Sequence, residues 1–227
     1  MGRYRVSDLS VYKKCPIRSK LLALGKVPSV TGGTRAKEEG IKRHKAYSVL
    51  YPSYYKDQLR KDVPFMDKIF ERWLGDDLIV GCIDNVRVLP VYNGQKILRL
   101  EVALIEFKTT TKKWIPKIDR EVAKDQLRIY LWLVGPEFRK AGWTLRKRHW
   151  VEWYSQSPNR LKFRESVCED PKIESDLARR LDSFYGQAPI GHPLMMGERE
   201  AQKICNTCPK EIKEGCTFYK YIKKKGR

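Results

Sequence analysis

At 227 residues, 41% of them hydrophobic, the chain can fill a proper core and falls outside the composition of disordered proteins. Its formal charge of +20, from 47 Lys plus Arg against 27 Asp plus Glu, favours a polyanionic partner such as nucleic acid over a small acidic molecule. No apolar run reaches membrane-spanning length and Met1 leads into a polar segment, so a cytoplasmic protein with no membrane partner is expected; in that compartment six cysteines suit metal or cluster ligation better than disulfides.

Ser7 is placed to cap a first helix carrying Leu9 and Tyr12, and Pro16 to start a second, Ile17 to Leu24, closed by Gly25. Cys15 stands at the joint between them. From Thr34 to about Leu50 the pattern reads as a charged helix with Gly40 and His44 one turn apart on one face. Tyr51, Tyr54 and Tyr55, set among basic residues, suit stacking on bases as well as covering a core.

Residues 68 to 74, 78 to 90 and 96 to 108 read as successive strands, the last two joined by the hairpin signal Asn93-Gly94. Along Leu104 to Thr109 side chains alternate, so Glu106 and Lys108 project one way while Ile105 and Phe107 point into a core. Asp84 interrupts the apolar run from Leu78 to Val88, and the hairpin can bring Asp84, Glu106 and Lys108 into one patch. Carboxylates hold a hard divalent cation while leaving positions for water, and a lysine beside them can help deprotonate that water or neutralise a phosphate. Taken singly, each of these charges reads as a solvated sheet residue. In a regular strand Cys82 would share the face of Asp84 and could join the wall of such a site.

Asp119 to Val134 reads as a helix ended by Gly135-Pro136, with Gln126 and Tyr130 as i, i+4 partners. Two basic, aromatic strands follow, at about 145 to 155 and 160 to 167, then a helix from about 171 to 185. A strand meander followed by strand-helix-strand alternation predicts an α/β fold with a mixed sheet. Near the end, Cys205-Asn-Thr-Cys208 can chelate one centre from a tight turn, Cys216 adds a third thiol, and Cys15 is the natural fourth. Zinc and an iron-sulfur cluster both fit four cysteines. Cys82 and Cys168 read as packing residues, and Lys220 to Arg227 as a basic tail. With no phosphate-cradling glycine motif, an ATP-driven motor is not expected.

Taken in order, Gly40-x3-His44, Gly81-x2-Asp84, Glu106-x-Lys108 and Gln126-x3-Tyr130 resemble the RecB-type branch of the PD-(D/E)XK nuclease superfamily. With Cys15-Pro16 in front and Cys205, Cys208 and Cys216 behind, the pattern is similar to the iron-sulfur subgroup, above all the CRISPR-associated RecB-like exonucleases. Ile83 stands where the superfamily's name has proline. The resemblance implies a restriction-endonuclease-like core at 31–190, N-terminal helices at 1–30 and a cluster-binding segment with the basic tail at 191–227. It implies that His44, Asp84, Glu106 and the Phe107 carbonyl bind Mn²⁺ or Mg²⁺, that Lys108 orients or activates water, and that Gln126 and Tyr130 position the strand and the lysine. It implies a [4Fe-4S] cluster on Cys15, Cys205, Cys208 and Cys216. The implied activity is hydrolysis of DNA at single strands or free ends, 5′ to 3′, with CRISPR integration proteins as partners or a viral or repair role instead. The alternative is a non-catalytic DNA-binding or assembly protein with a structural four-cysteine zinc site.

Overall fold

The computed structural model describes residues 2–26, 42, 62–64, 68–155, 160–186, 198–206, 208, 210–216 and 218–220. The elements are β1 (Arg3–Arg5), α1 (Val6–Ser10), a 3-10 turn (Val11–Lys13), α2 (Pro16–Ala23), β2 (Asp62–Pro64), β3 (Phe70–Leu74), β4 (Asp77–Gly81), β5 (Asn85–Asn93) and β6 (Lys96–Thr110). There follow α3 (Lys117–Lys140), β7 (Thr144–Leu145), β8 (His149–Ser155), β9 (Leu161–Val167), α4 (Ile173–Tyr185), α5 (Glu198–Asn206) and α6 (Lys210–Gly215). The helix expected over Thr34 to Leu50, with His44, lies outside the described residues apart from Lys42, as do Tyr51, Tyr54, Tyr55 and residues 221–227.

The strands make two mixed sheets flanked by helices, ordered β1-β4-β3 and β2-β5-β6-β8-β9, with β7 beside β6. β5 and β6 form the expected antiparallel hairpin: Asn93 faces Lys96, and Gly94, at φ +61°, takes the left-handed first central position that a II′ turn requires. β6 and β8 are parallel, a pairing that needs a crossover, and α3 supplies it. α3 packs on strands of both sheets, and every residue from Ile129 to Gly135 is buried. A helix apolar all round belongs in a core. Val102, Leu104, Leu127, Val134, Val151 and Leu177 are among the side chains that fill it.

Three local expectations are corrected. The apolar run from 78 to 90 is two strands in different sheets: β4 ends at Gly81, Ile83 drops into the core, and β5 starts at Asn85. Cys82 and Asp84 therefore do not share a strand face. Ser7 lies inside α1, whose N-cap is Arg5 with no side-chain cap. Finally, α3 runs straight through Gly135-Pro136 to Lys140. Proline has no N–H to give the carbonyl four residues back. Arg72 on β3 supplies the missing donor, its Nη1 reaching the Trp132 carbonyl at 2.6 Å while the guanidinium lies 4.1 Å from the centroid of the Trp132 ring.

The N-terminal helices are tied to this core by a buried charge. Arg180 on α4 donates to both Asp125 oxygens on α3, at 2.7 and 2.9 Å, to the Leu9 carbonyl on α1 at 3.1 Å, and to Asp176 one turn away. Burial alone would raise the Asp176 carboxyl, but the Arg180 guanidinium overrides it and holds the group down at about 2. Among the described residues no helix is long and apolar enough to cross a membrane.

Candidate active site and cysteine centre

The alternation on β6 turns Leu104, Glu106 and Lys108 toward α3 and the main core, and Ile105 and Phe107 toward a smaller cluster with Tyr154 and Trp150 on the opposite face. Glu106 is consequently buried, 2% exposed, which is not where a merely solvated sheet carboxylate would sit. Lys108 Nζ donates to Glu106 Oε1 and, at 2.9 Å, to Gln126 Oε1. Gln126 Nε2 in turn donates to the Tyr130 hydroxyl at 3.3 Å. The two neighbours thus fix which way the amide points.

Asp84 sits in the bend between β4 and β5, where its Oδ2 accepts the Phe107 N–H at 2.7 Å. That bond ties the bend to β6 next to Glu106. Burial pushes the Tyr130 phenol well above its ordinary range, and the negative charges of Glu106 and Asp84 push it further. Asp84, Glu106, Lys108, Gln126 and Tyr130 therefore share one neighbourhood, while His44 lies outside the described residues.

Gly81 has a steric reason to be glycine. A Cβ there would come within 2.6 Å of Tyr130 Cε1 and 2.8 Å of Val6 Cγ2. Beside this contact opens a cleft of about 490 Å³ lined by Arg3, Arg5, Val80, Cys82 and Tyr130 among others. Cys82 thus reaches the wall of the cleft without being in a strand.

Sequence reasoning missed His149, at the start of β8. Its Nδ1 accepts the Leu104 N–H at 3.0 Å, so it braces the strand that carries Glu106 and Lys108. Burial pushes the imidazole down to about 4, the charges of Arg139 and Arg146 add to that, and a backbone hydrogen bond at Arg146 opposes it. The only sequence signal was a histidine leading an apolar, aromatic strand, a common pattern with no specific meaning.

Cys15, Cys205, Cys208 and Cys216 are all buried and lie within electrostatic reach of one another. Burial pushes Cys15 up to about 11 against hydrogen bonds from the Arg18 and Ile17 backbone in the first turn of α2, with Cys208 and Cys216 raising it further. Cys205 is pushed up to about 12 by burial and then by Cys208, Cys15 and Cys216. At Cys216 the sulfur accepts the Tyr219 N–H at 3.4 Å. Cys168, expected to pack, is exposed instead, because it follows the last core-facing residue of β9, Val167.

Among the described residues no group of three or more His, Cys, Asp or Glu side chains stands in metal-binding geometry. By donor chemistry, two carboxylates suit a hard divalent cation, and four thiols with amide N–H groups aimed at sulfur suit zinc or an iron-sulfur cluster.

No family model matches the chain, and no curated protein matches it. Among solved structures it is similar to the crystal structure of SSO0001, with a TM-score of 0.50 and 19% identity, over 92% of this chain and 87% of that one. At that identity the likeness concerns the fold alone.

Proposed function

We propose that the chain is a divalent-metal-dependent DNA nuclease with a PD-(D/E)XK core of the RecB-like, iron-sulfur type, acting on single strands or free ends. One observation carries the reading: Glu106, Lys108, Gln126 and Tyr130 form a continuous hydrogen-bonded series, with Asp84 held against the backbone of the same strand. Asp84 and Glu106, with the Phe107 carbonyl and His44, would hold Mn²⁺ or Mg²⁺. When bound, that ion lowers the pKa of a coordinated water and neutralises charge developing on the phosphate. Lys108 has three N–H donors; Glu106 and Gln126 take two and orient the third toward the attacking water or the scissile phosphate. Tyr130 stays a neutral phenol, so it holds Gln126 in place without adding charge.

The four cysteines would hold a [4Fe-4S] cluster joining the start of α2 to the segment around α5 and α6. Bridging two ends of a chain removes the entropy of a long loop, which gives the cluster an architectural role without any redox chemistry. Both the burial of all four thiols and the N–H donors at Cys15 and Cys216 support this ligand set.

The test is cleavage of end-labelled single-stranded DNA by anaerobically purified protein. Mn²⁺ or Mg²⁺ should support release of short products, 5′ ends should be consumed first, and a chelator should stop the reaction. If no DNA substrate is cut with either ion, the non-catalytic DNA-binding reading, with zinc on the cysteines, replaces this one.

A further inference from the structure

We infer that the surface beyond the end of β6 is a nucleobase-stacking platform for single-stranded polynucleotide, with Trp114 and Phe163 as its rings. Trp114 lies in the turn leading to α3 and is 73% exposed, and Phe163 on the edge strand β9 is 36% exposed. Single exposed apolar side chains are ordinary, but two large rings exposed in the same cleft make a patch of the kind that marks a binding surface. With Lys113, Ile115, Arg120 and Lys162 they line a cleft of about 330 Å³.

The rim of that cleft is cationic, and the carboxylates near it are already engaged. Asp119 is held by Lys14 at 2.8 Å and Lys112 at 3.4 Å, and Glu165 by Arg120 at 3.4 Å and Lys124 at 3.8 Å. The Arg120 guanidinium lies 5.4 Å from the centroid of the Phe163 ring. Lys162 Nζ donates to the Lys112 carbonyl at 2.8 Å, which pins the edge strand to the Trp114 turn. Aromatic faces between fixed cations are what stacks an unpaired base and holds its phosphates. In a duplex the base faces are already stacked on one another, so closed duplex offers these rings nothing to cover.

Strand register places the platform on the same face as the candidate active site. Lys108 lies opposite Trp153 in β8, and Trp153 lies opposite Phe163 in β9. The three form one row across neighbouring strands, so Phe163 is two strand spacings, roughly 10 Å, from Lys108. A strand whose base rests on Phe163 or Trp114 would carry an adjoining phosphate toward Glu106 and Lys108. This use of the platform rests on the nuclease reading; its affinity for unpaired bases does not.

The experiment is binding of a fluorescent oligothymidylate in chelator, where cleavage plays no part, by wild type, Trp114→Ala, Phe163→Ala and Trp114→Phe. Each alanine variant should bind roughly tenfold more weakly, within the range measured for loss of one stacked base. Trp114→Phe should recover most of that loss. Affinity for a blunt-ended DNA duplex, and for an abasic oligomer with the same phosphates, should change less than about twofold between wild type and the alanine variants. Unchanged oligothymidylate binding in both alanine variants would overturn the platform, and so would an equal loss on the abasic oligomer. The exposure of Trp114 means that its variants should fold, which a matching thermal melt will confirm. A protein that cuts nothing yet loses oligothymidylate affinity with Trp114→Ala would retain the platform and refute the nuclease. Cleavage with unchanged affinity would do the reverse.

Discussion

The ring of Tyr130 rests on the bare backbone of Gly81, so close that a single methyl group there would stand 2.6 Å from Tyr130 Cε1. The small residue in front of Asp84 is thus a seat for the tyrosine that holds Gln126. Gly81→Ala should cost about 1–3 kcal/mol by overpacking. By displacing Tyr130 it should also slow cleavage by up to about 100-fold, the scale of a small misplacement at a reacting centre. A variant with wild-type melting and wild-type cleavage would mean that Tyr130 has no positioning role.

Arg180 and Asp125 form a two-pronged pair with both side chains buried. Removing one member of such a pair leaves an uncompensated charge in the core, so Arg180→Ala should lose about 3–5 kcal/mol in urea denaturation. The double variant Arg180→Met with Asp125→Leu should be milder than Arg180→Ala alone, because the buried Asp125 carboxylate is removed with its partner while Asp176 keeps Arg179 and Lys13. Equal losses would show that packing rather than charge sets the cost.

His149 makes stability depend on pH. Its folded-state pKa of about 4 lies below the ordinary 6.5, so the unfolded chain takes up the proton first. The stabilisation from a neutral His149 is therefore complete above about 6.5, erodes as pH falls, and is gone below about 4. Integrated over that window it amounts to ~3 kcal/mol. Urea midpoints measured from pH 7 to pH 4 should fall less steeply for His149→Asn, which can still accept the Leu104 N–H. Parallel profiles for the two proteins would remove His149 from the explanation.

Serine at Cys15, Cys205, Cys208 or Cys216 should bleach the broad visible absorbance of anaerobically purified protein and lower its melting temperature, because metal binding and folding are coupled. Serine at Cys82 or Cys168 should do neither. Iron and acid-labile sulfide are expected on analysis. Zinc without sulfide would replace the cluster with a structural zinc site.

How much of this was legible in the sequence follows from the range of each interaction. The pairing of Glu106 with Lys108 and of Gln126 with Tyr130 rests on strand alternation and helical spacing, which are local, and the structure brings those residues together. That Glu106 faces the core rather than water depends on where α3 packs, which no local pattern carries. The helix continues through Pro136 only because Arg72, in another strand, reaches the Trp132 carbonyl. The break at Cys82 to Asp84 is likewise tertiary: Ile83 is drawn into the core and Asp84 is captured by the Phe107 N–H. The buried pair of Arg180 and Asp125 joins two helices 55 positions apart in the chain, a contact that no local spacing carries.

The most direct measurement is single-turnover cleavage of single-stranded DNA in Mn²⁺ by wild type and Glu106→Gln, with DNA affinity recorded for both in chelator. Glutamine keeps the shape of Glu106 but not its charge, and most affinity should come from lysines and arginines elsewhere. The predicted result is a rate loss of at least about 100-fold with affinity changed less than about twofold. Cleavage by Glu106→Gln at the wild-type rate would contradict the assignment of this site.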